Sequence, residues 1–209
     1  YIKAEEKYKI TRSYLELIAR HRFPVMMITK SEMILRDIDL LHRIDKDAIH
    51  AADITNQIRG GVTVSFSVST LDNSIASALE PGAPLPIDRL KTMKLIKEAG
   101  FRTGVNCIPT LPFITDSTER LHEMVATTKE FGADYIFIGG LTLFGKDPAD
   151  SKPLYYKFLE RRFPHLVPQY KKLYRIFFFP PKSYVTELEQ RADEICRKYN
   201  IRRSILGPR

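Results

Sequence analysis

Apolar and polar positions along this chain follow two periods in turn, one helical and one strand-like. Residues 7–20 carry a helical pattern that ends in Arg20 and His21. Pro24 then precedes a compact apolar run, Val25-Met26-Met27-Ile28, which predicts a strand over 25–29. From Glu32 to about Lys46 the apolar positions Ile34, Ile38 and Leu41 have helical spacing, with Ser31 placed to cap them. Gly60-Gly61 interrupts the chain before an apolar strand over 62–68. Pro86 opens a helix to about residue 99, whose apolar face is Ile87, Leu90 and Met93 and whose end Gly100 suits. A strand over 103–108 follows. Asp116 and Glu119 have capping-box spacing ahead of a helix marked by Leu121, Met124, Val125 and Thr128, which Gly132 ends. The last predicted strand, 134–138, runs into Gly139-Gly140.

Strands that alternate with helices predict a parallel sheet with right-handed crossovers, an α/β fold. In a barrel the strands lie side by side in sequence order. A complete eight-stranded barrel takes about 250 residues, so four strands predict an open sheet or an incomplete barrel over residues 1–145. After Gly145 the texture changes. Residues 152–175 and 183–199 read as helical, separated by Phe177-Phe178-Phe179-Pro180-Pro181. A bare aromatic run invites aggregation. It is therefore expected to pack this C-terminal region, 146–209, onto the sheet. The alternative is an aromatic wall for a base or another planar ligand.

Length and charge refine the picture. The 209 residues fit one domain with a real core. No apolar run approaches the roughly 20 residues that span a bilayer, so no membrane partner is expected. The first residues, YIKAEEKYK, lack the apolar centre of a signal peptide. Residue 1 is not Met, and the natural start of translation is expected upstream. The net charge of +8 is uneven: residues 151–209 hold 14 Lys+Arg and 5 Asp+Glu, a balance of +9, leaving −1 for the first 150. Such a section faces nucleic acid or other phosphates, or is simply a set of solvated helix faces. Cys107 and Cys196 form no metal-ligand spacing and no disulfide framework, as expected of reduced, buried thiols in a cytoplasmic protein.

In parallel α/β proteins, sites lie outside the carboxyl ends of the strands. Lys30 ends the first strand, Ser67 and Ser69 the second, Asn106 and Ile108 the third, and Gly139 the fourth. A lysine can meet a carboxylate or phosphate, hydroxyls can serve ribose or carboxylate oxygens, and glycine lets a ring approach the backbone. Together they suit a nucleotide-like ligand. Each also has a plainer role: Lys30 solvated, Ser67 bonded to backbone, Gly139 and Gly140 in a turn. Glu80, in the LEPGAP segment at 79–84, is placed to cap or brace that turn, with Arg89 as its partner. Other catalytic vocabulary is missing: there is no His-x-x-x-His pair, no GxxxxGK[ST] loop and no GxSxG elbow. His21, His42 and His122 are expected at the surface. Asp37 and Asp39, two apart on a helix, should face different ways, which argues against a working carboxylate pair.

The run VSFSVSTLDNSIASALEPGAPLPIDRLKTMKLIKEAGFRTGVNCIPTLPFITD resembles the radical S-adenosylmethionine (SAM) superfamily, in its spore photoproduct lyase-like, or DNA repair photolyase-like, branch. The segments TKS at 29–31 and EFGADYIFIGGLTL at 130–143 agree with it. The resemblance implies a partial six-stranded (β/α) barrel, of which this chain holds strands three to six. It implies a [4Fe-4S] cluster that reduces bound S-adenosylmethionine to a 5′-deoxyadenosyl radical, a reductant such as flavodoxin or ferredoxin, a monomer, and a substrate that is nucleic acid in the best-known case. Lys30 matches a contact to the cofactor carboxylate. Ser67 or Ser69 matches a hydroxyl contact, and backbone near Ile108 and Gly139 matches adenine-contacting segments. The family's CxxxCxxC loop is not in this sequence. No metal ligand is therefore expected, and the chain reads as a C-terminal fragment or a homologue without the cluster. Two other functions stay open: a cluster-free nucleic-acid-binding module using the basic section, and a phosphate-binding barrel enzyme using Gly139-Gly140.

Overall fold

A computed structural model describes residues 1–51 and 60–206. Four parallel strands form one sheet in the order β1 (Val25–Thr29), β2 (Val62–Ser67), β3 (Arg102–Thr110) and β4 (Tyr135–Gly140). Sequence neighbours are spatial neighbours throughout, the order a (β/α) barrel requires. The expected strands are present, and β3 runs two residues further than its apolar run.

Helices cover one face. The barrel region has α1 (Glu5–Tyr8), α2 (Ile10–His21), α3 (Ile38–Asp47), α4 (Asn73–Leu79), α5 (Pro86–Glu98) and α6 (Thr118–Glu130), of which α2, α3, α5 and α6 supply the core on that face and α4 packs on the second cluster. The C-terminal region adds α7 (Ser151–Arg162), α8 (Val167–Leu173) and α9 (Lys182–Lys198). Val64, Phe66, Val105 and Ile136 from the strands meet Leu41, Leu90, Leu121 and Ile195 from α3, α5, α6 and α9 in one core. Thus α9 packs into the same core as the barrel helices, through Leu188, Ala192, Ile195 and Cys196. A second cluster joins Leu111, Leu141 and Leu143, beyond the strands, to Tyr155, Leu159 and Tyr170 of α7 and α8.

Local chemistry explains the element ends. Ser31 accepts from Met33 N–H at 3.2 Å and opens a 3-10 turn, Glu32–Asp37, ahead of α3. Pro86 sits in the first turn of α5. Gly100 and Gly132 take φ of 97° and 85° directly after α5 and α6, a conformation that favours glycine. Three expectations are corrected. Ser117, not Asp116, caps α6, by accepting from Arg120 N–H at 3.3 Å. Asp116 turns inward and accepts from the Tyr184 hydroxyl at 2.8 Å, tying α9 to the barrel. Ile87 is exposed on α5, and Ile96 completes its buried stripe with Leu90 and Met93.

The third correction concerns the aromatic run. Phe177, Phe178 and Phe179 do not bury themselves against the sheet; each is close to half exposed. The packing expected of them is done by α9 and by the tyrosines of α7 and α8. Among the described residues no helix is long and apolar enough to cross a membrane.

Candidate functional site

The two faces of the sheet differ. Paired residues of neighbouring parallel strands point the same way, and alternate residues point to opposite faces. Ser67 pairs with Asn106, and Asn106 with Phe137. Ile108 and Gly139 are in phase with them: a side chain at Gly139 would meet Ile108 Cγ1 at 3.2 Å. Ser67, Asn106, Ile108 and Gly139 therefore share the face that the helices leave open. Met26, Ile28 and Ile108 on this face are exposed. Deeper in, the Ser65 hydroxyl meets the Tyr135 hydroxyl, and both are buried. The tail closes the amino end below them. Arg202 bridges to β4 at Tyr135, and Arg102 donates to the Ile205 carbonyl at 3.1 Å.

Asn106 carries a buried polar atom without a match on this face. Its Oδ1 is buried and has no hydrogen-bond partner in the structure. An unmet buried acceptor costs about 1–3 kcal/mol, which a ligand's donor would recover.

An ion-pair chain crosses the carboxyl edge. The Lys30 ammonium lies 2.9 Å from Glu80 Oε1, and the Arg89 guanidinium lies 2.6 Å from Glu80 Oε2. Arg89 is 2% exposed, sits on the core-facing side of α5, and also donates to the carbonyls of Ser67 and Pro84, both at 2.8 Å. Glu80 and Arg89 thus hold the LEPGAP turn and the end of β2 together. Lys30 is the exposed member of the trio. Because Glu80 keeps Arg89, it can release Lys30 to another anion without being left unpaired.

A cavity of about 190 Å³ opens beside this chain, lined by Ser69, Thr70, Glu80, Arg89, Pro109 and Tyr155 among others. It is lined by Ser69, two residues past the end of β2, and not by Ser67. Tyr155 has no signal in the sequence that would place it here. Tyr155 comes from α7, a distant segment that nothing local connects to this edge. Burial pushes the Tyr155 hydroxyl up, against the hydrogen bond it shares with the Tyr170 hydroxyl at 2.9 Å. It is a neutral wall here.

Cys107 points to the helix-covered face. Burial pushes its thiol up to about 11, despite a weak contact to the Thr110 hydroxyl at 3.7 Å. Asp37 is buried and Asp39 exposed, so they face different ways as their spacing suggests, yet they share one partner. The Arg12 guanidinium joins them, at 3.1 Å from Asp37 and 2.6 Å from Asp39. Arg36 and the Tyr1 hydroxyl also bond to Asp37, both at 2.9 Å. The cluster ties α2 to α3 and stands away from the cavity.

A parallel sheet in barrel order, an open inner face and a polar carboxyl edge can be compared with known proteins. A spore photoproduct lyase mutant with bound AdoMet and dinucleoside spore photoproduct superposes on 93% of this chain and 54% of its own, with a TM-score of 0.59 and 16% identity. A second spore photoproduct lyase mutant, with dinucleoside spore photoproduct, matches 90% of this chain and 53% of its own at a TM-score of 0.59 and 17% identity. The fold is a partial (β/α) barrel of the radical SAM type. At these identities the likeness to the radical SAM-type barrel is one of fold. No protein-family model matches the sequence. An uncharacterized protein of Mycobacterium tuberculosis is 29% identical over 201 residues, which are 96% of this chain and 54% of that protein. An uncharacterized protein of Acidianus two-tailed virus is 27% identical over 133 residues, 62% of this chain and 40% of its own. The chain spans about half the length of the curated relatives it matches.

Proposed function

We propose that the carboxyl edge of this sheet binds S-adenosylmethionine, and that the chain is the cofactor-binding part of a radical SAM enzyme similar to spore photoproduct lyase and acting on nucleic acid. The observation that carries this reading is the unmet Asn106 Oδ1 on the open face, between Ser67 and Phe137 and one alternate residue short of the side-chain-free Gly139 on β4. Asn106 accepts from a ligand amine or hydroxyl. Ser67, or Ser69 in the neighbouring cavity, serves ribose or carboxylate oxygens. Lys30 meets the carboxylate in exchange with Glu80, and the bare backbone at Gly139 with Ile108 beside it takes the flat adenine ring. Glu80 and Arg89 brace the edge.

With a reduced iron–sulfur cluster, S-adenosylmethionine supplies a hydrogen-abstracting 5′-deoxyadenosyl radical. The residues present do not fit such a cluster. Two cysteines cannot supply three thiolates, and among the described residues no three His, Cys, Asp or Glu side chains stand together as metal ligands. In this reading the cluster and its reductant belong to residues outside these 209, and the chain contributes the cradle.

Isothermal titration calorimetry of the chain with S-adenosylmethionine tests the proposal without requiring turnover. Lys30→Ala and Asn106→Ala should each weaken binding about tenfold, and Gly139→Val should abolish it with the melting temperature within a few degrees of wild type. Failure of the wild-type chain to bind at millimolar cofactor sinks the reading. A second reading, a nucleic-acid-binding module without a cluster, draws on the basic C-terminal section. Its signature is salt-dependent nucleic-acid binding by a chain that does not bind the cofactor.

A further inference from the structure

Four large apolar side chains in a row, Ile176 to Phe179, stand in solvent between α8 and α9. Ile176 is 71% exposed, Phe177 57% and Phe179 44%. Phe177 and Phe179 stack on one another, with ring centroids 5.3 Å apart and planes 7° from parallel. Phe178 packs on Phe144 at 4.8 Å and stands edge-on to Phe179 at 5.0 Å. The backbone is pinned while the rings stay bare. The Phe178 carbonyl accepts from Leu143 N–H at 2.7 Å, and the two prolines that follow restrict the chain.

The charge around the rings has one sign. From Arg161 to Thr186 the sequence has six Lys or Arg and no Asp or Glu. Lys172, Arg175 and Lys182 join Phe177 and Phe179 in lining a groove of about 520 Å³. Among the described residues no acidic partner lies within ion-pair distance of these three cations.

We infer that this loop is a stacking platform for single-stranded or unstacked nucleic acid. Aromatic faces take bases whatever their sequence, and unpaired cations take the phosphates between them. A protein or a second copy would also cover apolar rings, but it does not explain a rim of three unpaired cations without one acid. The inference deepens the nucleic-acid part of the function proposed above and is independent of its cofactor part.

Fluorescence anisotropy with a labelled 12-nucleotide oligo-dT and a labelled 12-base-pair duplex tests it. The chain should prefer the single strand, with log affinity falling as log salt rises. Phe177→Leu/Phe179→Leu keeps the apolar surface and removes the rings. It should weaken single-strand binding by about tenfold or more, with melting temperature and S-adenosylmethionine calorimetry unchanged. Lys172→Ala/Arg175→Ala should make the salt dependence shallower. If the wild type binds the single strand and the leucine variant binds equally well, the platform is wrong although the nucleic-acid reading stands. If the wild type does not bind at 20 mM salt, both are wrong. A chain that self-associates through these rings and binds no nucleic acid also overturns the inference.

Discussion

Replacing Arg89 by Met tests whether the carboxyl edge is held as the structure shows. The methionine keeps most of the apolar volume and removes the charge. It takes away hydrogen bonds to the carbonyls of Ser67 and Pro84 and the 2.6 Å pair with Glu80. Breaking a buried pair from one side costs about 3–5 kcal/mol. Glu80 retains Lys30 and is 20% exposed at its side chain, so the lower end applies, about 3 kcal/mol. For a chain of this size that corresponds to a drop of roughly 6–12 °C in melting temperature. Lys30→Met removes the exposed end of the same chain of charges and should cost under about 1 kcal/mol, shrinking further with salt. Glu80→Gln should fall between them, because Arg89 then keeps a neutral acceptor. Urea unfolding followed by circular dichroism, with linear extrapolation, reads all three variants. The reasoning fails if Arg89→Met lies within about 0.5 kcal/mol of wild type, or if Lys30→Met costs as much as Arg89→Met.

Two further outcomes follow from ionisation and burial. Burial alone would push the Asp37 carboxyl up, but bonds from Arg36, Tyr1 and Arg12 outweigh it and hold it below the usual range; the bond from Arg12 brings Asp39 down to about 2. Folded values below the unfolded value of about 3.9 mean that stability from these groups is present above about pH 4 and is lost as pH falls through their lowered folded values. Melting temperature should therefore drop between pH 5 and pH 2, and Asp37→Asn should flatten that drop; equal acid slopes in the two proteins would contradict it. Cys107 and Cys196 are both buried, and burial pushes each thiol up to about 11. A thiol-reactive chromophore at pH 8 should label neither in the folded protein and both in denaturant; rapid labelling of the native chain would mean that the core opens.

Strand positions were legible because a strand packed on the helices through one face needs an apolar residue at every second position, as in Val62–Ser67, while one covered more fully carries a continuous apolar run, as at the start of Tyr135–Gly140. Short helix α4 is not legible from periodicity. Its start is nonetheless written in Asp72, which accepts from Ser74 and Ile75 N–H at 2.8 and 3.1 Å. Seven residues give too few turns for a periodic signal. The cap of α6 is ambiguous by one residue in the sequence because Asp116 and Ser117 are both good caps. Tertiary packing decided between them by turning Asp116 toward Tyr184.

What the sequence by itself determined is the alternation of helix and strand, the parallel sheet it forces and the edge at which polar residues gather. These depend on periodicity and turn chemistry, which are local. Only the tertiary structure decided which of those residues share a face. It put Ser67, Asn106 and Gly139 together, placed Ser69 on a cavity that Ser67 does not line, and joined Asp37 to Asp39 through Arg12 from another helix. It also left Phe177 and Phe179 in solvent, where composition alone argued for burial. Side-chain partners come from segments far apart in the chain, and contacts of that kind are fixed by packing between elements. No period along the sequence encodes them.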